Sequence, residues 1–162
     1  MKKSGLVFSE LKDLSVVDEV VYLARQAHEE SRFSYITFAP NKVRAIAERA
    51  ICNPKRYAAM MAWDSGKPVG FVYGSIGEYH IGTGALVTTI HNINVLKEVR
   101  YGLRGGRVAL GLFQGIETWS KARSSKEILF HVTSDVDLSR THKFIKRLGY
   151  RFIGGSYAKN II

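Results

Sequence analysis

A pair of glycines flanked by arginines is the part of this sequence best suited to bind an anion. The stretch runs from Arg104 through Gly105 and Gly106 to Arg107. A segment rich in β-branched residues, 87–95, precedes it, and apolar residues at helical spacing follow it. Adjacent glycines can take positive φ and turn successive backbone N–H groups into one concavity, here at a helix start whose dipole favours negative charge. The stretch therefore predicts a site for a phosphate or pyrophosphate.

The same stretch has a simpler interpretation, a glycine turn with solvated arginines. No Gly-Lys-Ser/Thr follows the glycines, so the spacing is not that of a Walker phosphate loop. No further glycine completes a dinucleotide-binding fingerprint. Local spacing alone leaves both interpretations open.

The composition is that of one ordinary domain with a strongly basic balance. The chain has 162 residues, 24 of them basic and 14 acidic, with a formal net charge of +10. This excess predicts attraction to polyanions, such as a phosphorylated cofactor, a nucleic acid or an acidic surface.

Several classes of protein are not expected from the composition. Cys52 is the only cysteine, and the histidines show no ligand spacing with carboxylates, so neither a disulfide nor a metal site is expected. No apolar run approaches the ~18 residues of a membrane-spanning helix. The basic first residues lack the apolar region of a signal peptide. We therefore expect a cytoplasmic protein without a membrane partner.

Hydrophobic periodicity predicts one compact domain over residues 1–162, with mixed elements. The predicted strands cover residues 5–11, 57–63, 68–76, 87–95, 126–133 and 150–157. The predicted helices cover residues 15–30, 40–51 and 139–148, with a further helix opened by the arginine–glycine stretch. The turn at residues 64–67 predicts a hairpin between the second and third strands.

The order of these elements and two local motifs resemble the GNAT superfamily of N-acetyltransferases. The family signature Arg/Gln-x-x-Gly-x-Gly/Ala is matched at its first and last positions by Arg104 and Ala109, and the closing pattern Phe-x-x-x-Leu-Gly-Tyr/Phe by residues 144–150. Arg-Gly-Gly-Arg before such a helix also resembles a subgroup common among tailed-phage proteins. The resemblance implies a single-domain GNAT-like α/β (α+β) fold, with a central mixed, mostly antiparallel sheet flanked by helices.

The resemblance implies where acetyl-CoA would bind. The pyrophosphate would be held by the backbone amides of Arg104, Gly105, Gly106, Arg107, Val108 and Ala109. The edge of the 87–95 strand, at Ile93, Asn94 and Val95, would pair with the pantetheine arm. One of its N–H groups would polarise the thioester carbonyl, as an oxyanion-hole donor does.

Three positions depart from the family pattern. Arg107 stands where the signature has glycine, which brings charge but denies the backbone its closest approach to phosphate. The link at residues 96–103 is several residues longer than usual. Ile145 stands where the family has its general-acid tyrosine, so no hydroxyl can act from that position.

The resemblance also suggests a general base. The family often places a glutamate four residues before the strand's final valine, and that position is His91 here. An imidazole, with a pKa near ~6.5, suits base catalysis at neutral pH. Strand parity predicts that His91 points the same way as Ile93 and Val95. The alternative is a histidine that is hydrogen-bonded within the sheet.

Other side chains are open candidates for the proton transfers. Rival bases are Glu78, His80 and Asp135, and candidate acids are His142, Tyr157 and Tyr35. His131 is expected to be structural and Cys52 to be inert. An acid is not essential, because a coenzyme A thiol with a pKa near ~8.5 leaves readily as the thiolate.

The sequence thus predicts an acetyl-CoA-dependent N-acetyltransferase that transfers the acetyl group directly to a primary amine in a ternary complex. The acceptor is left open between a nucleic-acid-associated amine such as aminoacyl-tRNA, a host-protein lysine and a small amine. The alternative is a catalytically degenerate fold of this kind that binds CoA, nucleic acid or a host protein, an alternative suggested by Ile145 and Arg107. A homodimer is compatible with both.

Overall fold

The computed structural model describes residues 5–161, which form a five-stranded sheet with helices on both faces. The strands are β1 (Leu6–Glu10), β2 (Tyr57–Asp64), β3 (Lys67–Glu78), β4 (Leu86–Val95) and β5 (Glu127–Phe130). The helices are α1 (Val17–Glu30), α2 (Pro40–Cys52), α3 (Lys97–Arg100), α4 (Leu103–Lys121) and α5 (Leu138–Arg147), with a 3₁₀ turn at Leu14–Val16. None of the described helices is long and apolar enough to cross a membrane.

The strands lie in the sheet in chain order, β1-β2-β3-β4-β5. The first four pair antiparallel, and β4 pairs parallel with β5. The predicted hairpin between β2 and β3 is present, with Ser65 and Gly66 at positive φ in its turn. The predicted fold class, a mixed and mostly antiparallel sheet flanked by helices, is confirmed.

Helix α4 covers one face of the sheet. Its side chains Val108, Leu112 and Ile116 follow at intervals of four residues and are buried against β2, β3 and β4. Burying each such side chain stabilises the fold by about 1.5–3 kcal/mol. Helices α1 and α2 pack on the opposite face, where Leu23 and Ala47 lie in a second cluster with Met61. The sheet is therefore held between α4 and the α1–α2 pair.

Strand β4 is paired with β3 along its whole length but loses its second partner, β5, halfway. Its first half, Val87–Ile90, pairs with β5 in four parallel residue pairs, and the pairing ends there. Its second half continues to Val95 while paired to β3 alone. The register with β3 shifts at Tyr73 and Gly74, which makes His91 the extra residue of a β-bulge. One edge of β4 is thereby left open beyond Ile90.

The predicted turn at the glycine pair is wrong. Helix α4 begins at Leu103, so Gly105 and Gly106 lie in its first turn. Within the described residues, the glycines at positive φ are Gly66, Gly84 and Gly149. The lengthened link before α4 is explained by α3, a single helical turn.

The predicted last strand, 150–157, is also wrong. Helix α5 ends at Arg147, Gly149 follows its cap with φ of +90°, and the Tyr150 N–H donates back to the Ile145 carbonyl at 3.2 Å. Tyr150 packs on Phe113, with ring centroids 5.7 Å apart. Beyond Tyr150, residues 151–161 have no regular structure and are exposed. Alternating apolar residues form a strand only where a partner edge accepts them, and β5 offers an edge of just four residues.

Candidate functional site

A cleft of about 1040 Å³ opens where β4 and β5 part. Its floor is the open edge of β4 from His91 to Val95. The first turn of α4 and one face of α5 form one wall, and the end of α1 with the segment after it forms the other. A volume of this size suits a cofactor together with a small acceptor group.

The open edge of β4 offers backbone groups to an extended ligand. The Leu96 N–H donates to the Val69 carbonyl of β3 at 2.9 Å. Because backbone groups of successive strand residues point to alternate sides, those of Ile93 and Val95 point away from β3 and into the cleft. The backbone of Asn94, by the same alternation, pairs with Phe71 of β3. Of the three predicted strand residues, Ile93 and Val95 therefore supply the available edge.

One backbone acceptor on this edge, the Val95 carbonyl, already accepts hydrogen bonds within the protein. The Arg100 guanidinium donates to the Val95 carbonyl from both Nε, at 3.0 Å, and Nη2, at 2.8 Å. It also donates to the Asn94 side-chain oxygen at 3.2 Å and forms an ion pair with Glu30 at 2.7 Å. The side chains of Arg100 and Glu30 are only 16% and 20% exposed. The turn of α3 thus delivers an arginine that ties β4 to the end of α1.

The first turn of α4 presents unpaired backbone donors to the cleft. Its N-cap, Gly102, has no side chain to accept from them. The Gly106 N–H donates to the Gly102 carbonyl at 3.3 Å. Among the described contacts, the amides of Leu103, Arg104 and Gly105 have no acceptor. Amides from Arg107 onward lie inside the helix and donate four residues back.

Gly105 is required here by close packing, not by its φ. A Cβ at this position would lie 2.6 Å from the Arg100 carbonyl oxygen and closer still to that of Val99. A Cβ on Gly106 would meet nothing within 4 Å. Gly105 therefore lets α4 start directly against the last turn of α3.

The predicted cofactor residues divide by position. Ile93, Asn94, Val95, Gly105, Gly106 and Ala109 line the cleft. Val108 is fully buried in the core, and Arg104 forms an ion pair with Asp64 at 2.8 Å. Neither these two nor Arg107 is part of the cleft lining.

Three cationic side chains that sequence reasoning missed line the cleft instead. Arg140, Lys143 and Arg147 lie on α5. Their spacing of three and four residues places them on one face of the helix, which is the signal that could have identified them. Arg140 also lies over the Tyr101 ring, 5.3 Å from its centroid. Positive charge therefore faces the amide donors of α4.

His91 lies at the bulge, on the floor of the cleft. Its Nε2 is 2.7 Å from the Ser75 hydroxyl, and its ring lies 5.5 Å from that of Tyr73. Both partners belong to the α1–α2 face of the sheet, whereas Ile93 and Val95 pack on the α4 face. The predicted shared parity is therefore wrong, because the bulge inserts one residue and reverses the alternation.

The electrostatic surroundings of His91 keep its imidazole neutral. Burial against the sheet lowers the pKa of His91, and the charge of nearby His131 lowers it further. His131 also lines the cleft, just beyond the end of β5. At neutral pH, His91 is thus able to accept a proton.

The other predicted catalytic residues lie outside the cleft lining. Glu78 is at the far end of β3, where its carboxylate accepts from Thr83 at 3.1 Å and Gly84 at 2.6 Å. His142 faces outward on α5 against Phe152, with ring centroids 5.8 Å apart. His80, Asp135, Tyr35 and Tyr157 are exposed and are not part of the lining, and Cys52, expected to be inert, is exposed as well. Glu78 caps a loop and His142 packs on the C-terminal segment, so neither is placed to move a proton in the cleft.

The half of the cleft beside α1 carries no carboxylate in its described lining. His28, Ser31 and Phe33 contribute from the end of α1, opposite His131. The Arg32 N–H donates to the Ser134 carbonyl at 2.9 Å, which closes this side. Across the whole described lining, Asp137 is the single carboxylate. No group of histidine, cysteine and carboxylate side chains within residues 5–161 is arranged to hold a metal ion.

Comparison with known proteins identifies the fold. No protein-family model matches the chain, and no curated protein matches it. The solved structure of AAC(6')-Iy with the bisubstrate analogue CoA-S-monomethyl-acetylneamine matches 98% of this chain and 100% of its own, at 18% identity and a TM-score of 0.73. Ribosomal-protein-alanine N-acetyltransferase from Brucella melitensis biovar Abortus 2308 matches 97% and 99%, at 15% identity and 0.69. A Trypanosoma brucei acetyltransferase matches 97% and 100%, at 14% identity and 0.66.

These likenesses show that the chain has the fold of GNAT-type acetyltransferases over nearly its whole length. The fold inferred from the two sequence motifs is confirmed. At these identities, activity and substrate have to be argued from this chain's own cleft.

Proposed function

We propose that the protein is an acetyl-CoA-dependent N-acetyltransferase. The observation that carries the proposal is the parting of β4 and β5, which places an open strand edge beside the unpaired amides of α4. A strand edge suits the amide-bearing pantetheine arm, and a helix N-terminus suits a pyrophosphate. The structural neighbours include acetyltransferases solved with CoA or a CoA analogue, which supports this choice of cofactor.

Different residues of the cleft bind different parts of acetyl-CoA. The unpaired amides of Leu103 and Gly105, two residues of the cleft lining, receive the pyrophosphate, and the cations of α5 neutralise the phosphates. The pantetheine arm pairs with the backbone of Ile93 and the N–H of Val95, because the Val95 carbonyl already accepts from Arg100. An N–H of this edge polarises the thioester carbonyl.

The reaction is direct transfer. A neutral amine attacks the thioester carbon, the C–N bond forms, the C–S bond breaks, and the sulfur leaves as a thiolate. The proton lost by the amine passes to His91, directly or through water. Ile145 lies at the cleft and supplies no proton. A thiolate with a conjugate-acid pKa near ~8.5 departs without one.

Titration calorimetry with acetyl-CoA, followed by a thiol-release assay over a panel of amines, tests this function. We expect binding and acceptor-dependent release of free thiol. Binding with no release for any amine would instead support a non-catalytic CoA-binding module. The absence of acetyl-CoA binding would overturn the assignment of the cleft.

Two further properties belong to the proposal. The net charge of +10 favours an anionic acceptor, of which an amine carried on nucleic acid is one class. The exposed apolar side chains Phe152, Ile153 and Tyr157 favour a homodimer built on the C-terminal segment. Sedimentation equilibrium tests the dimer, and a monomer at micromolar concentration would contradict it. The likeness to phage proteins rests on the Arg-Gly-Gly-Arg residues and stays a prediction.

A further inference from the structure

Part of the α1–α2 face of the sheet is left uncovered and carries a line of rings. Tyr57 of β2, Tyr73 of β3 and His91 of β4 form this aromatic row. The tyrosine centroids lie 6.3 Å apart with planes inclined by 6°, and Tyr73 lies 5.5 Å from His91. The two tyrosines are partly exposed and His91 is exposed. The row therefore runs across three strands from the rim of the sheet to the cleft floor.

Two arginines flank the outer end of the aromatic row. The guanidinium carbons of Arg49 and Arg56 lie 5.8 Å and 5.9 Å from the centroid of the Tyr57 ring. Burial raises the pKa of Tyr73, and the charge of Arg49 opposes that effect. Within residues 5–161, neither arginine forms an ion pair. Their charges are available to an anion beside the rings.

The adjoining half of the cleft disfavours a polycationic acceptor. Its described lining has histidines, hydroxyls and aromatic rings but no carboxylate. Arg25, whose guanidinium lies 4.5 Å from the centroid of Phe38, adds positive charge nearby. A polyamine entering this half would be repelled and would leave its ammonium groups unpaired.

We propose that the aromatic row and its two arginines bind the end of a single-stranded nucleic acid that carries the acceptor amine. This deepens the proposed acetyltransferase function and rests on it. Bases stack on tyrosine rings that are partly exposed, as these two are, whatever the base sequence, and guanidinium groups pair with the phosphates between the bases. The row ends at His91, so a strand laid along it delivers its terminal amine to the base. An acidic protein would use the arginines but gain little from the rings.

The test uses fluorescence anisotropy of the full chain with a labelled single-stranded RNA of mixed sequence. The Tyr57→Leu/Tyr73→Leu double variant is expected to bind at least tenfold more weakly, with acetyl-CoA affinity unchanged. Tyr79→Leu is the control, because that tyrosine is exposed but lies off the row, on the loop after β3. Equal affinity of the double variant and the control would overturn the proposal.

A second pair of substitutions guards against misfolding of the tyrosine variant. Arg49→Gln with Arg56→Gln alters side chains that form no ion pair within residues 5–161. This double variant is expected to reduce the salt slope of RNA binding by about 0.7 for each phosphate that is no longer neutralised. If polyglutamate displaced the labelled RNA as well as unlabelled RNA does, the site would recognise negative charge alone, which contradicts the proposal. So would equal affinity for the same sequence as a duplex.

The activity arm separates this proposal from the parent function. Thiol release from acetyl-CoA is measured with an RNA bearing a terminal primary amine and with the same amine as a free small molecule. Faster release with the RNA, abolished in the tyrosine variant, supports the proposal. Thiol release with the free amine but not with the RNA would support the acetyltransferase function and reject a nucleic acid as the acceptor. Failure to bind acetyl-CoA would instead reject the parent function.

Discussion

His91 shows how one inserted residue changes what a side chain can reach. A regular strand would point it with Ile93 into the α4 core, where an imidazole would be desolvated without a partner. The bulge turns it to the opposite face, where the Ser75 hydroxyl lies 2.7 Å from its Nε2. The ring is thereby fixed by one nitrogen and open to the cleft.

Removal of the imidazole tests its role. We expect His91→Ala to lower kcat by ~10²–10⁴-fold, the usual contribution of a positioned base. Acetyl-CoA affinity in calorimetry should change little, because the cofactor contacts proposed above are backbone groups and the cations of α5. His142→Ala is the control, since that ring faces away from the cleft, and it should turn over like wild type. If His91→Ala turned over like the wild type, water rather than His91 would accept the proton of the amine.

The pH dependence of the rate should reflect the environment of His91. A lowered pKa means that the imidazole stays deprotonated, and active, to lower pH than an ordinary histidine. The ascending limb of kcat/KM should therefore lie below ~6.5. His131→Asn removes a repelling charge, so protonation of His91 becomes easier and the limb should move to higher pH. A limb that stays in place in His131→Asn would show that another group titrates.

Neighbouring glycines at the start of α4 allow a matched comparison of packing and binding. In Gly105→Ala, the new methyl meets the carbonyls of Val99 and Arg100, so the junction of α3 and α4 must shift. We expect a lower Tm together with weaker acetyl-CoA binding. Gly106→Ala places its methyl in open space and should leave Tm unchanged or raised, because alanine favours a helix. Equal Tm for the two variants would contradict this description of the junction.

At the scale of elements, the turn of α3 acts as a clamp between β4 and α1. Glu30→Gln leaves the Arg100 charge without its counter-ion in a mostly buried place, and we expect a loss of about 1–3 kcal/mol in the free energy of unfolding. Asp18→Asn breaks the exposed ion pair with Arg44 and should cost less than about 1 kcal/mol. Urea denaturation of both variants measures the difference. Equal losses would show that Arg100 is solvated well enough to need no partner.

The sequence predicts this fold better than it predicts the site. Period-2 and helical patterns locate β2, β3 and α2 to within a few residues, because their buried faces alternate regularly. The bulge at His91 leaves no such pattern, since it depends on the register with β3. The 150–157 segment alternates like a strand yet finds no partner edge. The geometry of the site depends on how the strands pair with one another, and local hydrophobic periodicity does not predict that pairing.

At the scale of the whole molecule, basic side chains lie on both sides of strand β4. Three basic side chains of α5 line the cleft wall, and two arginines lie at the outer end of the aromatic row. A polyanion approaching the +10 chain is attracted to the protein as a whole and then meets cations on both sides of β4. Cofactor and acceptor can thus be drawn to opposite faces of the same strand.

The agreement between sheet order and chain order has a consequence for how the protein is made. Strands β2, β3 and β4 follow one another directly and pair as neighbours, whereas β1 pairs across α1 and α2, and β5 docks only after α4 has crossed the sheet. Loop closure makes such a crossover the slower step, so a nascent chain completes its antiparallel meander first and acquires a cleft last. Pulse-labelled hydrogen exchange should protect the amides of Val72 and Met60 before that of Leu129. Simultaneous protection would mean that scaffold and cleft fold as one cooperative unit.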